Sequence, residues 1–136
     1  MSARGKARKR ALDVLFESDL RGVDAAKTLA QRLLQAEPPV PEYTVTLVQG
    51  VVAHLPRIDE LIERYAVEWT LDRMPVVDRN VLRIAAFELF WQDDVPDAVV
   101  LSEAVGLARD LSTDESPAFI NGILATLLEQ KPSLAL

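Results

Sequence analysis

The stretch Val76-Val77-Asp78-Arg79-Asn80-Val81-Leu82-Arg83-Ile84-Ala85-Ala86-Phe87-Glu88-Leu89-Phe90-Trp91 decides the fold. Val77, Val81, Ile84, Ala85 and Leu89 recur at helical spacing on one side. Leu82, Phe87 and Phe90 widen the apolar surface beyond one face, which predicts a helix buried on most sides. Asp93-Asp94-Val95-Pro96 ends it. A buried central helix needs other helices around it, and the flanking sequence supplies them.

Upstream, Leu12, Leu15, Phe16 and Leu20 form the stripe of a first helix from about Ala3 to Leu20, with Gly22 closing it. Asp24 is placed to cap a short second helix, with Leu29, Leu33 and Leu34 on one face. Pro38, Pro39 and Pro41 punctuate the following loop. A third helix then runs from near Glu42 to Tyr65, and Pro56 inside it predicts a kink or a split. Trp69 to Met74 reads as a helical turn before Pro75. Downstream, Pro96 suits the first position of a fifth helix reaching about Asp110. Ser116 is a natural N-cap and Pro117 a natural first residue for a last helix ending near Gln130. Asn121-Gly122 is a turn signal, but the apolar period of Phe119, Ile120, Ile123, Leu124, Leu127 and Leu128 runs through it. The helix is kept, with Gly122 read as a site of close packing. The expected fold class is all-α: two small packed helical bundles, about 1–66 and 67–136, in one compact domain.

The chain has 136 residues, no cysteine, one histidine (His54) and a formal net charge of −6. Without cysteine there are no disulfides, thiolate zinc sites or cysteine nucleophiles. One histidine cannot build a multi-histidine metal site. No nucleophile elbow or glycine-rich phosphate loop occurs. Adjacent acids such as Asp59-Glu60 and Asp93-Asp94 fit solvated faces or caps better than catalysis. The sequence thus predicts no catalytic residues, no metal and no cofactor. It carries no signal-peptide pattern and no apolar run of membrane-spanning length, which predicts a cytoplasmic protein without membrane contact.

Charge distribution says more than the total. Arg4, Lys6, Arg8, Lys9 and Arg10 put +5 into the first ten positions, where there is no acid. The remaining 126 residues hold ten basic against 21 acidic residues, a balance of −11. A basic arm at the start of a predicted helix can track the phosphates of RNA. Three to five phosphate contacts would give a log–log salt slope of about −2 to −3.5. Alanine at Arg8 and Arg10 should flatten it.

Four ordered segments carry a family resemblance. Ala7-Arg8-Lys9-Arg10-Ala11-Leu12-Asp13-Val14-Leu15-Phe16 resembles the arginine-rich opening of the NusB transcription antitermination family. Val77 to Ala85 with Glu88-Leu89, then Asp94-Val95-Pro96 leading to Ser102 to Ala108, then Ser116 to Leu124, agree in order and spacing. The resemblance implies two packed helical bundles and no enzymatic activity. It implies binding of the single-stranded boxA element of ribosomal RNA leader transcripts together with NusE, a small-subunit ribosomal protein. The complex would join RNA polymerase and other Nus factors. Arg4, Lys6, Arg8, Lys9 and Arg10 match the RNA-contacting arm, Phe119 an aromatic of the RNA site, and Glu115 an acidic position beside it. Phe16, Leu20 and Asp78 fall on the NusE-facing side. By pattern alone, Phe16 and Phe119 fit a helical core equally well. The acidic body suits a basic ribosomal-protein partner. A helical protein–protein adaptor, or an RNA-binding module acting with a separate ribosomal RNA methyltransferase, stays open at this point. So does a homodimer of the free protein.

Overall fold

The structure is a computed structural model describing residues 2–35, 38–67 and 69–136. Its helices are α1 (Ala3–Arg21), α2 (Ala25–Gln35), α3 (Glu42–Tyr65), α4 (Val76–Trp91), α5 (Asp97–Leu111) and α6 (Ser116–Gln130). Short 3-10 turns cover Leu71–Arg73 and Lys131–Ser133. No strand occurs among the described residues, as the apolar periodicity predicts. No helix is long and apolar enough to cross a membrane.

Helix α4 is the centre, for the reason its sequence suggests. Residues Val81, Leu82, Ile84, Ala85, Ala86, Phe87, Leu89 and Phe90 are all buried, so α4 buries most of its circumference rather than one stripe. It packs on α1 and α3 on one side and on α5 and α6 on the other. Helices α1, α2 and α3 contact one another, as do α4, α5 and α6. One cluster of buried side chains, from Ala11 to Leu127, runs through both groups.

Local chemistry sets the helix ends. Ser2 accepts from the Gly5 amide at 3.0 Å and caps α1. Gly22, at φ 65°, closes α1 in the left-handed conformation that a side chain would oppose. The Gly22 and Val23 amides then satisfy the last carbonyls, Asp19 and Ser18. Asp24 caps α2 through the Ala26 amide at 2.9 Å. Pro41, Pro75 and Pro96 each stand just before a helix, with ψ of 144°, 140° and 141°. Proline fixes φ but leaves ψ extended there, so the helix begins at the next residue.

Five local expectations are corrected. Pro96 is the residue before α5 rather than its first residue. Ser116 is not an N-cap; it lies inside α6, buried, and its hydroxyl turns to Asp78 at 2.9 Å. Pro56 does not split α3: it sits on the exposed side, where the helix continues past the missing N–H. Leu33 and Leu34 are 45% and 86% exposed, because α2 buries only Thr28 and Leu29. Gly122 is exposed, and a Cβ there would meet nothing within 4 Å. The close approach is instead at Gly50, where a Cβ would lie 2.2 Å from the Phe87 ring. Gly50 is what lets α3 lie against α4.

Candidate nucleic-acid interface

The basic arm is about the first two turns of α1, and the helix sorts its charges by face. Arg4 and Arg8 are one turn apart and point the same way. On that side, buried Ala7 and Ala11 let α3 approach, and the Thr44 hydroxyl donates to the Ala7 carbonyl at 2.8 Å. Arg8 is thereby carried inside and is only 3% exposed. Its Nε donates to both Glu88 oxygens at 2.9 and 3.1 Å, and its Nη2 to Oε2 at 2.9 Å. Its Nη1 lies 3.3 Å from Glu103 Oε1. The Tyr43 hydroxyl donates to the same Glu88 carboxylate.

Burial opposes the Arg8 charge, but hydrogen bonding and attraction from Glu88 outweigh it and tighten its hold on the proton. Burial, and donation to Glu88, push the Tyr43 phenol well above its ordinary range. Arg4 lies over the Tyr43 ring at 4.3 Å and bonds Asp94 at 2.9 Å, which strengthens its own hold on its proton. Arg10 donates to the Pro38 and Pro39 carbonyls at 3.4 and 3.3 Å. Lys6 and Lys9 are exposed and pair with no carboxylate among the described residues. The expectation that Arg8 is free for phosphate is corrected: its donors are held by Glu88 and Glu103 inside the protein.

Phe119 and Glu115 stand at the start of α6, far from that arm. They line a cleft of about 230 Å³ with Trp69, Met74, Pro75 and Asp78. Asp78, expected on a partner face, is 2% exposed and holds α4 to the α5–α6 connection. It accepts from the Ser112 hydroxyl at 2.5 Å and the Ser116 hydroxyl at 2.9 Å. The arm is anchored at Glu88 and the cleft at Asp78. Ten residues of α4 separate those anchors, roughly 15 Å along the axis. The residues expected to bind RNA therefore form two groups at opposite ends of α4. Phe16 is half-buried and Leu20 is 62% exposed; both border an open depression with Asp13, Glu17 and Arg32.

Sequence reasoning missed the roles of Glu88 and Tyr43. Glu88 had a signal: the one charged residue in the apolar run from Ile84 to Trp91 needs a buried cation. His54 stacks on Trp91 with ring centres 4.0 Å apart, a packing role on the α3–α4 seam. Among the described residues no group of three or more His, Cys, Asp or Glu is placed to hold a metal ion.

Comparison with known proteins gives the family. The NusB family model matches residues 5–129. A transcription antitermination protein NusB from a Nocardioides species is 62% identical over 135 residues, covering 99% of this chain and all of that one. The Thermobifida fusca protein of the same name is 55% identical over 134 residues, covering 98% and 94%. T. maritima NusB superposes with a TM-score of 0.84 at 33% identity, covering 98% of this chain and 99% of that one. NusB from a solved complex of NusB and NusE with double-stranded RNA superposes with a TM-score of 0.81 at 28% identity, covering 93% and 96%. A helical chain matched along nearly its whole length belongs to the NusB family, a family of non-enzymatic transcription antitermination proteins.

Proposed function

We propose that this protein binds the single-stranded boxA RNA of ribosomal RNA leader transcripts as a heterodimer with NusE. The heterodimer then joins RNA polymerase and other Nus factors in the cytoplasm to suppress early termination. The observation that carries this reading is the exposed face of α1. Among the described residues Lys6 and Lys9 pair with no carboxylate and Arg10 is held by backbone carbonyls, on a molecule otherwise strongly acidic. The solved relative with NusE and RNA supports it. Arg4 joins this face by exchanging the exposed Asp94 carboxylate for a phosphate, a small loss for a solvated pair. Arg8 acts differently, holding the arm against α4 as a helix. Phe16 and Leu20 supply the apolar part of the NusE contact, and Asp78 supports that side from within.

The test is a fluorescence-anisotropy titration of labelled boxA-type RNA, with and without NusE, over a salt series. The expected result is tighter binding with NusE. Alanine at Lys6, Lys9 and Arg10 together should weaken binding and flatten the log–log salt slope by about 0.7 per lost contact. Absence of binding in both mixtures at low salt would overturn the reading.

A further inference from the structure

We propose that Tyr43 is a positioning residue of the RNA-binding face: its ring lays out the Arg4 guanidinium for one RNA phosphate, whose place the Asp94 carboxylate holds until RNA arrives. This rests on the RNA-binding reading above and adds to it two residues, Tyr43 and Asp94, from outside the basic arm.

An arginine on the first turn of a helix ordinarily samples many rotamers, and binding must meet the cost of fixing one. Arg4 is held in advance. Its guanidinium carbon lies 4.3 Å from the centre of the Tyr43 ring, and its Nη2 donates to Asp94 Oδ2 at 2.9 Å. Attraction between a guanidinium and an aromatic face favours that placement. The Arg4 side chain is still 45% exposed, so a ligand reaches it from outside.

The ring itself is fixed from within. The Tyr43 hydroxyl donates to Glu88, which Arg8 clasps with three hydrogen bonds. On the same turn of α3, the Thr44 hydroxyl bonds the Ala7 carbonyl of α1. Burial and the bond to Glu88 hold the proton on the phenol, so the group stays a neutral donor. The buried Arg8–Glu88 pair thus reaches the surface through Tyr43 and ends at Arg4.

Asp94 marks what Arg4 is set to hold. Carboxylate and phosphate oxygens accept from a guanidinium in the same geometry. Asp94 stands in the turn leaving α4, where Val95 is buried and its amide bonds the Gln92 carbonyl at 3.3 Å. The Asp94 side chain is 60% exposed, and a pair so solvated is weak, so a phosphate displaces it. The displaced charge then stays beside the RNA and opposes it. Asp94 therefore limits affinity, while Tyr43 supports it.

The experiment is an anisotropy titration of labelled boxA-type RNA at saturating NusE, with a melting curve for every variant. Tyr43→Leu should bind RNA about two- to fivefold more weakly, the range for one exposed guanidinium–ring contact. It should have no further effect once Arg4 is alanine. Tyr43→Phe loses the bond to Glu88 and should melt earlier, yet keep most of the RNA affinity because the ring remains. If affinity follows melting temperature across the two variants instead, Tyr43 is only structural and the proposal is overturned. Asp94→Asn should tighten binding by up to about fivefold, and the gain should vanish with Arg4→Ala. A gain that persists there is a general charge effect and overturns the role of Asp94. If wild-type protein binds RNA and Tyr43→Leu binds equally well, the positioning role falls and the RNA-binding reading survives. If wild-type protein binds no RNA with NusE at low salt, both fall.

Discussion

Arg8 shows how a residue type can mislead when its neighbours in space are unknown. It lies among five basic residues of an arm, yet it is only 3% exposed, clasped by Glu88 and covered by Tyr43. Removing it strands the Glu88 carboxylate in the interior. Arg8→Ala should therefore lower unfolding free energy by about 3–5 kcal/mol in urea titration. The Arg8→Ala/Glu88→Ala double variant should cost less than the two single changes together, because the second removes the charge that the first strands. Asp19 gives a pH prediction. Burial opposes its charge, but hydrogen bonds from Arg79 and Asn80 and the nearby Arg83 hold its carboxyl below the ordinary range. A depressed folded value contributes stability above the unfolded value near about 3.9, and that contribution is lost as pH falls through the folded value. Asp19→Asn should be less stable than wild type at pH 7, and the gap should close on acidification below about pH 4, as read by denaturant midpoints. A constant gap across that range would refute the assignment.

At the scale of the helix, glycine carries two opposite meanings in one chain. Gly50 in α3 has the Phe87 ring where its Cβ would be, so Gly50→Ala must push α3 off α4. It should cost about 1–3 kcal/mol or more in a thermal or urea melt. Gly122 in α6 has open space around it. Gly122→Ala should therefore stabilise by about 0.5–1 kcal/mol, since helix propensity alone is at stake. The apolar pattern correctly carried α6 through Asn121-Gly122, but the packing role belonged to Gly50, whose partner lies 37 positions away at Phe87. Helix ends were legible wherever a local residue sets them: Gly22 after α1, Asp24 before α2, Pro75 before α4. Ser116 broke the rule because it lies inside α6, where its hydroxyl donates to buried Asp78 and accepts from the Thr113 amide rather than from an amide of the helix's first turn.

Across the whole molecule, α4 is the shared wall of both helical groups. Asp19 from α1 and Asp59 from α3 add a charged seam to Arg79 and Arg83 of α4. With one continuous core, the protein should unfold as a single cooperative unit. Helical circular dichroism and tryptophan fluorescence should then give coincident urea transitions, and an earlier separate transition would show the two groups to be independent. The same architecture spreads the candidate site. A helix roughly 24 Å long stands between the Lys6–Arg10 face and the Trp69–Phe119 cleft, so an RNA using both must run along the molecule.

Helix number, helix order and most boundaries follow from the sequence by itself, because periodicity, caps and prolines act within a few residues of where they stand. So does the presence of a basic arm on an acidic chain. Which charges of that arm face outward was decided only by the tertiary structure. Glu88 lies 80 residues from Arg8, and no local pattern pairs them. The cleft is likewise made where Trp69 and Phe119, 50 positions apart, come to one place. Burial is a property of what packs against a residue, and that is a long-range fact.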